Sequence, residues 1–224
     1  IEEEFARRLP GVRTGRLDSD RLRKEKDGWA LLEAFRNGEL DVLVGTQVLT
    51  KGHDFPRVNL VVVLYPENLL AFPDFRASER AFSQLTQVSG RSGRRDRVGS
   101  VLIVTAWGDQ PAIELGRRQD YDAFYAAELE VRRRFGWPPF AKLMRLVVRG
   151  PALPAVREAA QRVGDEVENA VGGAALRLGP APCLLERVKS HWRHQVVLKV
   201  RDEKAFRAGI RAFRETTRLR APLY

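Results

Sequence analysis

Apolar positions along the first part of the chain follow two alternating rhythms. Short runs dominated by aliphatic residues, Asp41 to Val44 and Asn59 to Leu64, have the pattern of parallel strands buried on both faces. Between such runs the period becomes helical. Leu31, Leu32 and Phe35 share one side of a segment from Asp27 to Arg36, which Asn37 and Gly38 end. Ala81, Phe82, Leu85 and Val88 mark the packing side of a helix that begins near Phe75. Glu2 to Leu9 reads as the tail of a helix closed by Pro10 and Gly11. Val12 to Leu17 and Ser100 to Thr105 read as two further strands, and Pro66 to Pro73 as a proline-rich loop.

Strands alternating with helices predict a mostly parallel sheet covered on both faces. Residues 109–136 carry helices, in which Tyr121, Phe124, Tyr125 and Leu129 have helical spacing for packing. The turn from Gly136 to Pro139 then marks a domain boundary. Beyond it the order changes. A strand from Ala141 to Val148 precedes a helix from Pro154 to Val171, and strands follow at Leu176 to Leu178, Cys183 to Lys189 and His194 to Val200. A helix from Asp202 to Arg218 completes the series. The expected fold is an α/β lobe over residues 1–137 and a small α+β domain over residues 138–224. A chain of 224 residues is long enough to give each its own core.

Charge sharpens that division. Up to Trp137 there are 22 Lys and Arg against 21 Asp and Glu, whereas from Pro138 onward there are 17 against 8. An excess confined to the second part points to a polyanionic partner held through phosphate neutralisation. The single cysteine, Cys183, excludes an internal disulfide and a multi-cysteine zinc site, and it suits a small core position in a reducing compartment. No apolar run approaches the roughly 20 residues of a membrane span, and the acidic first residues are unlike a secretory leader. A cytoplasmic protein is expected.

Two stretches carry candidate chemistry. Residues 45–56, GTQVLTKGHDFP, follow a strand and place a hydroxyl, free amides, a lysine and a carboxylate at the carboxyl edge of the sheet. Residues 73–94, PDFRASERAFSQLTQVSGRSGR, put Arg76, Arg80, Gln84, Gln87 and Arg91 on one side of a helix. Gly90 and Gly93 then let the backbone approach a ligand, with Arg91 and Arg94 beside them. Converging guanidinium groups suit a polyphosphate, since each fork can hold two oxygens while offsetting their charge. Each stretch alone also fits a solvated turn, and their order and spacing make the pair informative. In the second part, the segment from Lys189 to His194 sets Trp192 among cations, a combination that stacks on bases.

In order, the two stretches closely resemble motifs V and VI of superfamily 2 helicases, in the wording of the PriA family of replication-restart helicases. The resemblance extends through Leu17 to Asp20, the Trp137 to Phe140 turn and Gly179 to Pro182, and is looser after Phe140. It implies a RecA-like second helicase lobe, then a domain similar to a small ribosomal protein that binds branched DNA. It implies ATP and Mg²⁺ held between two lobes, with the first lobe upstream, since no Gly-x-x-x-x-Gly-Lys phosphate loop or acidic partner strand occurs here. A zinc-binding insertion, also upstream, belongs to the family pattern, and no metal is expected on this segment. The chain is thus expected to be the C-terminal part of a 3′→5′ DNA helicase of replication restart, inactive alone as an ATPase. Forked and single-stranded DNA, single-strand-binding protein and primosome loading proteins are its implied partners.

Residue by residue, the resemblance makes Arg94 the arginine finger, with Arg91 assisting and Gln87 binding phosphate or positioning water. Gly52 and Asp54 would face the nucleotide. Thr46, Gln47 and Lys51 would touch the DNA backbone, and Lys189, Trp192 and Arg193 a fork. Two departures stand out. Tyr65, Pro66 and Glu67 replace the Asp-Ala-Asp usual in the family, and the chain stops at Tyr224 where the family continues into a final strand. The first leaves open a relative that has lost hydrolysis and serves as a fork-binding and loading module; another superfamily 2 translocase is the third reading. Several residues keep two readings at this level. His53 and the pair His191 and His194 serve as turn or structural histidines or as polar contacts. Arg132 to Arg134 either complement a helix dipole or meet phosphate. Arg207, Arg211, Arg214 and Arg218 either edge an amphipathic helix or face DNA.

Overall fold

The computed structural model describes residues 2–17, 25–46, 55, 57–89 and 99–217. Contacts divide the chain into two compact units, Ile1–Glu128 and Leu129–Tyr224. The division falls inside a helix, before the Gly136 to Pro139 turn that the sequence pattern points to.

In the first unit, α1 (Glu2–Arg8) leads to β1 (Thr14–Leu17), α2 (Glu25–Asn37) and β2 (Val42–Gly45). β1 and β2 pair in parallel with Thr14 opposite Val42. Arg13 and Asp41, one residue before that pair, pin the register. The Arg13 guanidinium donates from Nε (3.0 Å) and Nη2 (2.7 Å) to the Asp41 carboxylate, and its backbone N–H adds a third bond at 2.9 Å. These bonds pull the Asp41 carboxyl down from its ordinary value to about 2.

β3 (Leu60–Leu64) and β4 (Ser100–Val104) form a second parallel pair. Between them lie the short α3 (Glu67–Leu70) and α4 (Ala77–Ser89). α5 (Pro111–Arg118) and the first part of α6 (Tyr121–Phe135) follow. α3 sits where the sequence predicts only a proline-rich loop; Pro66 caps it in helical geometry, a position that proline tolerates because no N–H is needed there. The core here is built from Ala81, Phe82, Ala112 and Phe124, with Leu69, Leu70 and Leu115 against it. The Phe82 and Phe124 rings stack at 4.1 Å. Ala77, Ala81, Phe82, Leu85 and Val88 are the buried residues of α4, as their spacing predicts.

The expected coverage on both sheet faces is not met in the second pair. Leu60, Val62 and Leu64 on β3, and Leu102 and Val104 on β4, all stay well exposed. They lie in register on one side, Val62 beside Leu102 and Leu64 beside Val104. The residues between them, Val61, Val63, Val101 and Ile103, are partly buried, so the two faces of the pair differ in exposure.

The second unit is a three-stranded antiparallel sheet in the order β5, β7, β6, packed against two helices. Its elements are β5 (Lys142–Gly150), α7 (Leu153–Val171), β6 (Ala175–Val188), β7 (His191–Val200) and α8 (Glu203–Thr217). The two strands expected at Leu176 to Leu178 and Cys183 to Lys189 are one strand. Gly179, with φ near 92°, and Pro180 interrupt the ladder and shift its register, but the chain continues along the same edge of β7. The core joins Val167, Val171, Val196, Leu198, Phe206 and Phe213, and Met144 and Leu146 pack on it. Two glycines permit this closeness. A Cβ on Gly209 of α8 would lie 2.8 Å from the Val171 Cα, and one on Gly164 of α7 would lie 2.7 Å from the Arg177 guanidinium.

Candidate functional site

Of the candidate residues in the first unit, Thr46 lies at the carboxyl end of a parallel strand, the edge at which open α/β sheets bind ligands. Thr46 is exposed directly after β2. Gln47, Lys51, Gly52, His53, Asp54, Arg91 and Arg94 lie outside the described residues. Gln87 is exposed in the last turn of α4, and its amide donates to Ser83 Oγ at 3.2 Å. Earlier on α4's approach, Arg76 and Arg80 converge on Asp74, at 3.3 and 2.8 Å. This charge compensation reaches the helix from its own N-terminal turn and leaves Gln87 at the far end.

At the end of β3, Glu67 is fully engaged. Its carboxylate accepts from the Ala106 N–H at 3.0 Å and from Thr105 Oγ1 at 2.7 Å. Thr105 Oγ1 in turn accepts from the Trp107 N–H. The Ala106 and Thr105 bonds hold the Glu67 carboxyl below its usual range. The residue that keeps a carboxylate in Tyr65–Glu67 therefore ties the exits of β3 and β4 together. Tyr65 reaches that geometry with φ near 51°. Beyond the clamp, Trp107, Asp109 and Gln110 line an open recess of about 260 Å³, with Trp107 half exposed.

In the second unit, β6 and β7 form a hairpin whose two turn residues, Lys189 and Ser190, both have positive φ. That is the type I′ geometry whose twist matches the strands it joins. Trp192 receives the Arg187 guanidinium over its ring at 5.2 Å. Arg193, the next residue on β7, pairs across the sheet with Arg149 of β5. Strand alternation puts Trp192 on the side of the sheet that carries His194, Val196 and Leu198, and Arg193 on the other. Lys189, Trp192 and Arg193 thus share one end of the sheet but not one face.

The remaining cations sort by their partners. Arg132 donates to the Pro138 carbonyl at 3.3 Å, Arg133 lies over the Phe140 ring and pairs with Glu130, and Arg134 covers Phe135. On α8, Arg207 pairs with Glu203, while Arg211 and Arg214 are exposed. His194 is buried, and among the described residues its Nδ1 has no hydrogen-bond partner; His191 is exposed at the turn. Burial pushes the Cys183 thiol up, against the pull of the nearby Arg193 and Arg145. Arg145 and Arg149 were not visible as candidates from sequence, because only the strand register sets Arg149 opposite Arg193 and Arg145 opposite Val197 on the same side of the sheet.

Two family models match the chain. The helicase conserved C-terminal domain matches residues 1–96, and the primosomal protein N C-terminal domain matches residues 133–222. Among curated proteins, the replication restart protein PriA of Bacillus subtilis is 35% identical over 215 residues, 96% of this chain and 27% of the relative. That of Synechocystis is 38% identical over 199 residues, 89% and 24%. That of Treponema pallidum is 35% identical over 224 residues, covering all of this chain and 34% of the relative. The chain thus spans between a quarter and a third of the length of these relatives.

Proposed function

The chain belongs to the PriA family of replication restart proteins, and from that premise we propose that it forms the C-terminal part of an ATP-dependent 3′→5′ DNA helicase. In this reading residues 1–137 are a RecA-like second lobe and residues 138–224 a DNA-binding domain. The carrying observation is the order of the two matches, a helicase C-terminal domain followed by a primosomal C-terminal domain. The charge excess confined to residues 138–224 supports the division of labour.

The donor set offered to ATP is chemically apt. Two guanidinium groups, Arg91 and Arg94, with the Gln87 amide exposed at the preceding helix end, match the oxygens of a polyphosphate. Arg94 would stabilise charge on the transferring phosphoryl group, Arg91 would hold the adjoining phosphate, and Gln87 would bind phosphate or orient water. Gly52 and Asp54 would face the nucleotide. ATP with Mg²⁺ supplies the phosphoryl transfer that drives movement, and most of its ligands belong to the length of the relatives that this chain does not span. Thr46, Gln47 and Lys51 would contact the DNA backbone, and the hairpin end with Lys189, Trp192 and Arg193 a fork. Single-strand-binding protein and primosome loading proteins in the cytoplasm complete the reading. Among the described residues no helix is long and apolar enough to cross a membrane.

A second reading is favoured by Glu67. Its carboxylate, at a position where the family pattern carries an acidic pair, is spent on Thr105 and Ala106. A PriA relative with weakened coupling would mark forks without hydrolysing ATP. DNA-stimulated ATP turnover of the full-length protein separates the two. Under the helicase reading Arg94→Ala abolishes that turnover, by about 10³-fold or more, with little change in fork affinity; unchanged turnover removes Arg94 from the mechanism. A wild-type protein that binds forks but never turns over ATP establishes the second reading.

A further inference from the structure

The sheet of the second unit has one face covered by α7 and α8 and one face open. On the open side the register aligns Arg149 with Arg193, Val147 with Gln195 and Arg145 with Val197. Leu178 continues the row opposite Val197, and Leu176 lies opposite Lys199. Three aliphatic side chains here remain exposed by more than a third, Val147 at 38%, Leu176 at 39% and Leu178 at 36%. Phe135 and Trp137 close one end of the row, where the Lys199 ammonium donates to the Phe135 carbonyl and lies over the Trp137 ring. At the opposite end lie Arg149 and Arg193, with Arg145 two positions back along the same side of β5 opposite Val197, and among the described residues of the unit no ring or ammonium contact of that kind covers them.

Directly opposed side chains on neighbouring antiparallel strands have Cβ atoms about 4.5–5.5 Å apart, and like charges there repel. Arg149 and Arg193 occupy such a position, and among the described residues neither meets a carboxylate. Arg145 lies on the same side of β5, opposite Val197 and separated from Arg149 by Val147 on that side. Three arginines on one side of the sheet, none of them ion-paired among the described residues, make a place for an anion. The aliphatic residues between them narrow its kind. A duplex offers phosphates but hides its bases, which would leave Val147 and Leu178 facing water. An unpaired strand offers phosphates and base faces together.

We propose that the open face of this sheet is a single-strand binding surface, with Arg149 and Arg193 as a paired phosphate clamp, Arg145 as the next phosphate contact, and Val147 and Leu178 as the floor for unpaired bases. This deepens the reading of the second unit as a DNA-binding domain and rests on it. The strand runs across β5 and β7, on the face opposite to Trp192. A fork held at the hairpin end would feed its unpaired arm onto this surface.

The test uses the 224-residue chain, its Arg149→Gln/Arg193→Gln variant, and a charge-matched Arg157→Gln/Lys204→Gln variant altered on the exposed sides of the two helices. Each is titrated by fluorescence anisotropy with a labelled oligothymidylate, a blunt duplex, a forked DNA and an acidic peptide across a salt series. The clamp variant should lose about tenfold or more of its oligothymidylate affinity, and the slope of log affinity on log salt should fall by about 1.4, two contacts at roughly 0.7 each. The helix variant should change by less than about twofold. Arg149→Lys/Arg193→Lys should keep most of the salt slope while losing bidentate grip. Equal losses in the clamp and helix variants would overturn the proposal in favour of diffuse charge, as would an equal loss for duplex, or a loss confined to the acidic peptide. If the wild-type chain binds the fork and the clamp variant binds all DNA unchanged, the clamp fails and the domain reading stands; if the wild-type chain binds no DNA, both fail. Thermal denaturation of the same samples guards the comparison. Relief of the opposed charges should leave the clamp variant at least as stable as wild type, and a clear fall in Tm would assign the pair a structural role and overturn the clamp.

Discussion

Both units leave one face of a sheet open, and the two faces are built differently. In the first unit the open side of β3 and β4 carries Leu60, Val62, Leu64, Leu102 and Val104, aliphatic residues with Ser100 at the margin. In the second, Val147, Leu176 and Leu178 are interleaved with Arg145, Arg149 and Arg193. An aliphatic surface gains by meeting another aliphatic surface. A surface that alternates aliphatic groups with guanidiniums meets bases and phosphates at once. The contrast shows that exposure alone says little about a partner, and that the spacing of charge within the exposed patch says more.

The comparison can be broken or sharpened by substitution. The largest effect is expected on the covered side of the second sheet. Phe213, 2% exposed in its core, should cost about 3–5 kcal/mol when truncated to alanine, read from urea denaturation of the chain. A loss under about 1 kcal/mol would mean that this core does not hold the unit together. Gly209→Ala should cost about 1–3 kcal/mol by overpacking against the Ala170 carbonyl and Val171. It should do so even though alanine is the better helix former by about 1 kcal/mol. A stabilised variant would show that α7 and α8 can separate freely. On the open side of the first unit, Leu102→Ser should change stability by no more than about 0.5 kcal/mol; a cost like that of Phe213→Ala would show the face to be covered in solution.

The smallest effect concerns pH. The Asp41 carboxyl, held at about 2 by Arg13 against an ordinary 3.8, is depressed on folding. Its contribution is complete above the ordinary value and is lost as pH falls through about 2. The difference in urea midpoint between wild type and Asp41→Asn should therefore shrink across that interval and close below it. A difference that persists in strong acid would assign the effect to something other than the ion pair.

Much of this was legible along the chain because it depends on local periodicity. The packing side of α4 follows from spacing alone and the positions of β3 and β4 from short aliphatic runs, whereas the exposure of one side of β3 and β4 does not, since nearly every position in those runs is aliphatic. The motif wording likewise pointed to the family that the comparisons show. The merging of two expected strands into β6 was not legible, since Gly179 and Pro180 have the composition of a turn and only the neighbouring β7 keeps the chain extended. Nor was Arg177, which occupies a core-side position opposite Leu198 yet extends past α7 to Asp165 and Glu168, at 2.7 and 3.0 Å. A pattern read as polar gave no sign that this charge would brace a helix against a sheet edge.

By itself the sequence determined most of the segments that form helices and strands, where the positive charge accumulates, and which family the chain resembles, because each is written in composition and short-range order. Tertiary structure alone decided which cations become neighbours. Arg149 and Arg193 are separated by the whole of α7 and β6 along the chain, and their meeting depends on a strand register fixed by the burial of Val196 and Leu198 beneath the helices. Strand alternation turned Trp192 away from Arg193, and the separate pairing of β3 with β4 engaged Glu67 with the far strand. Charge placed by register across a sheet has no linear signature, since the residues that set the register are not the residues that carry the charge.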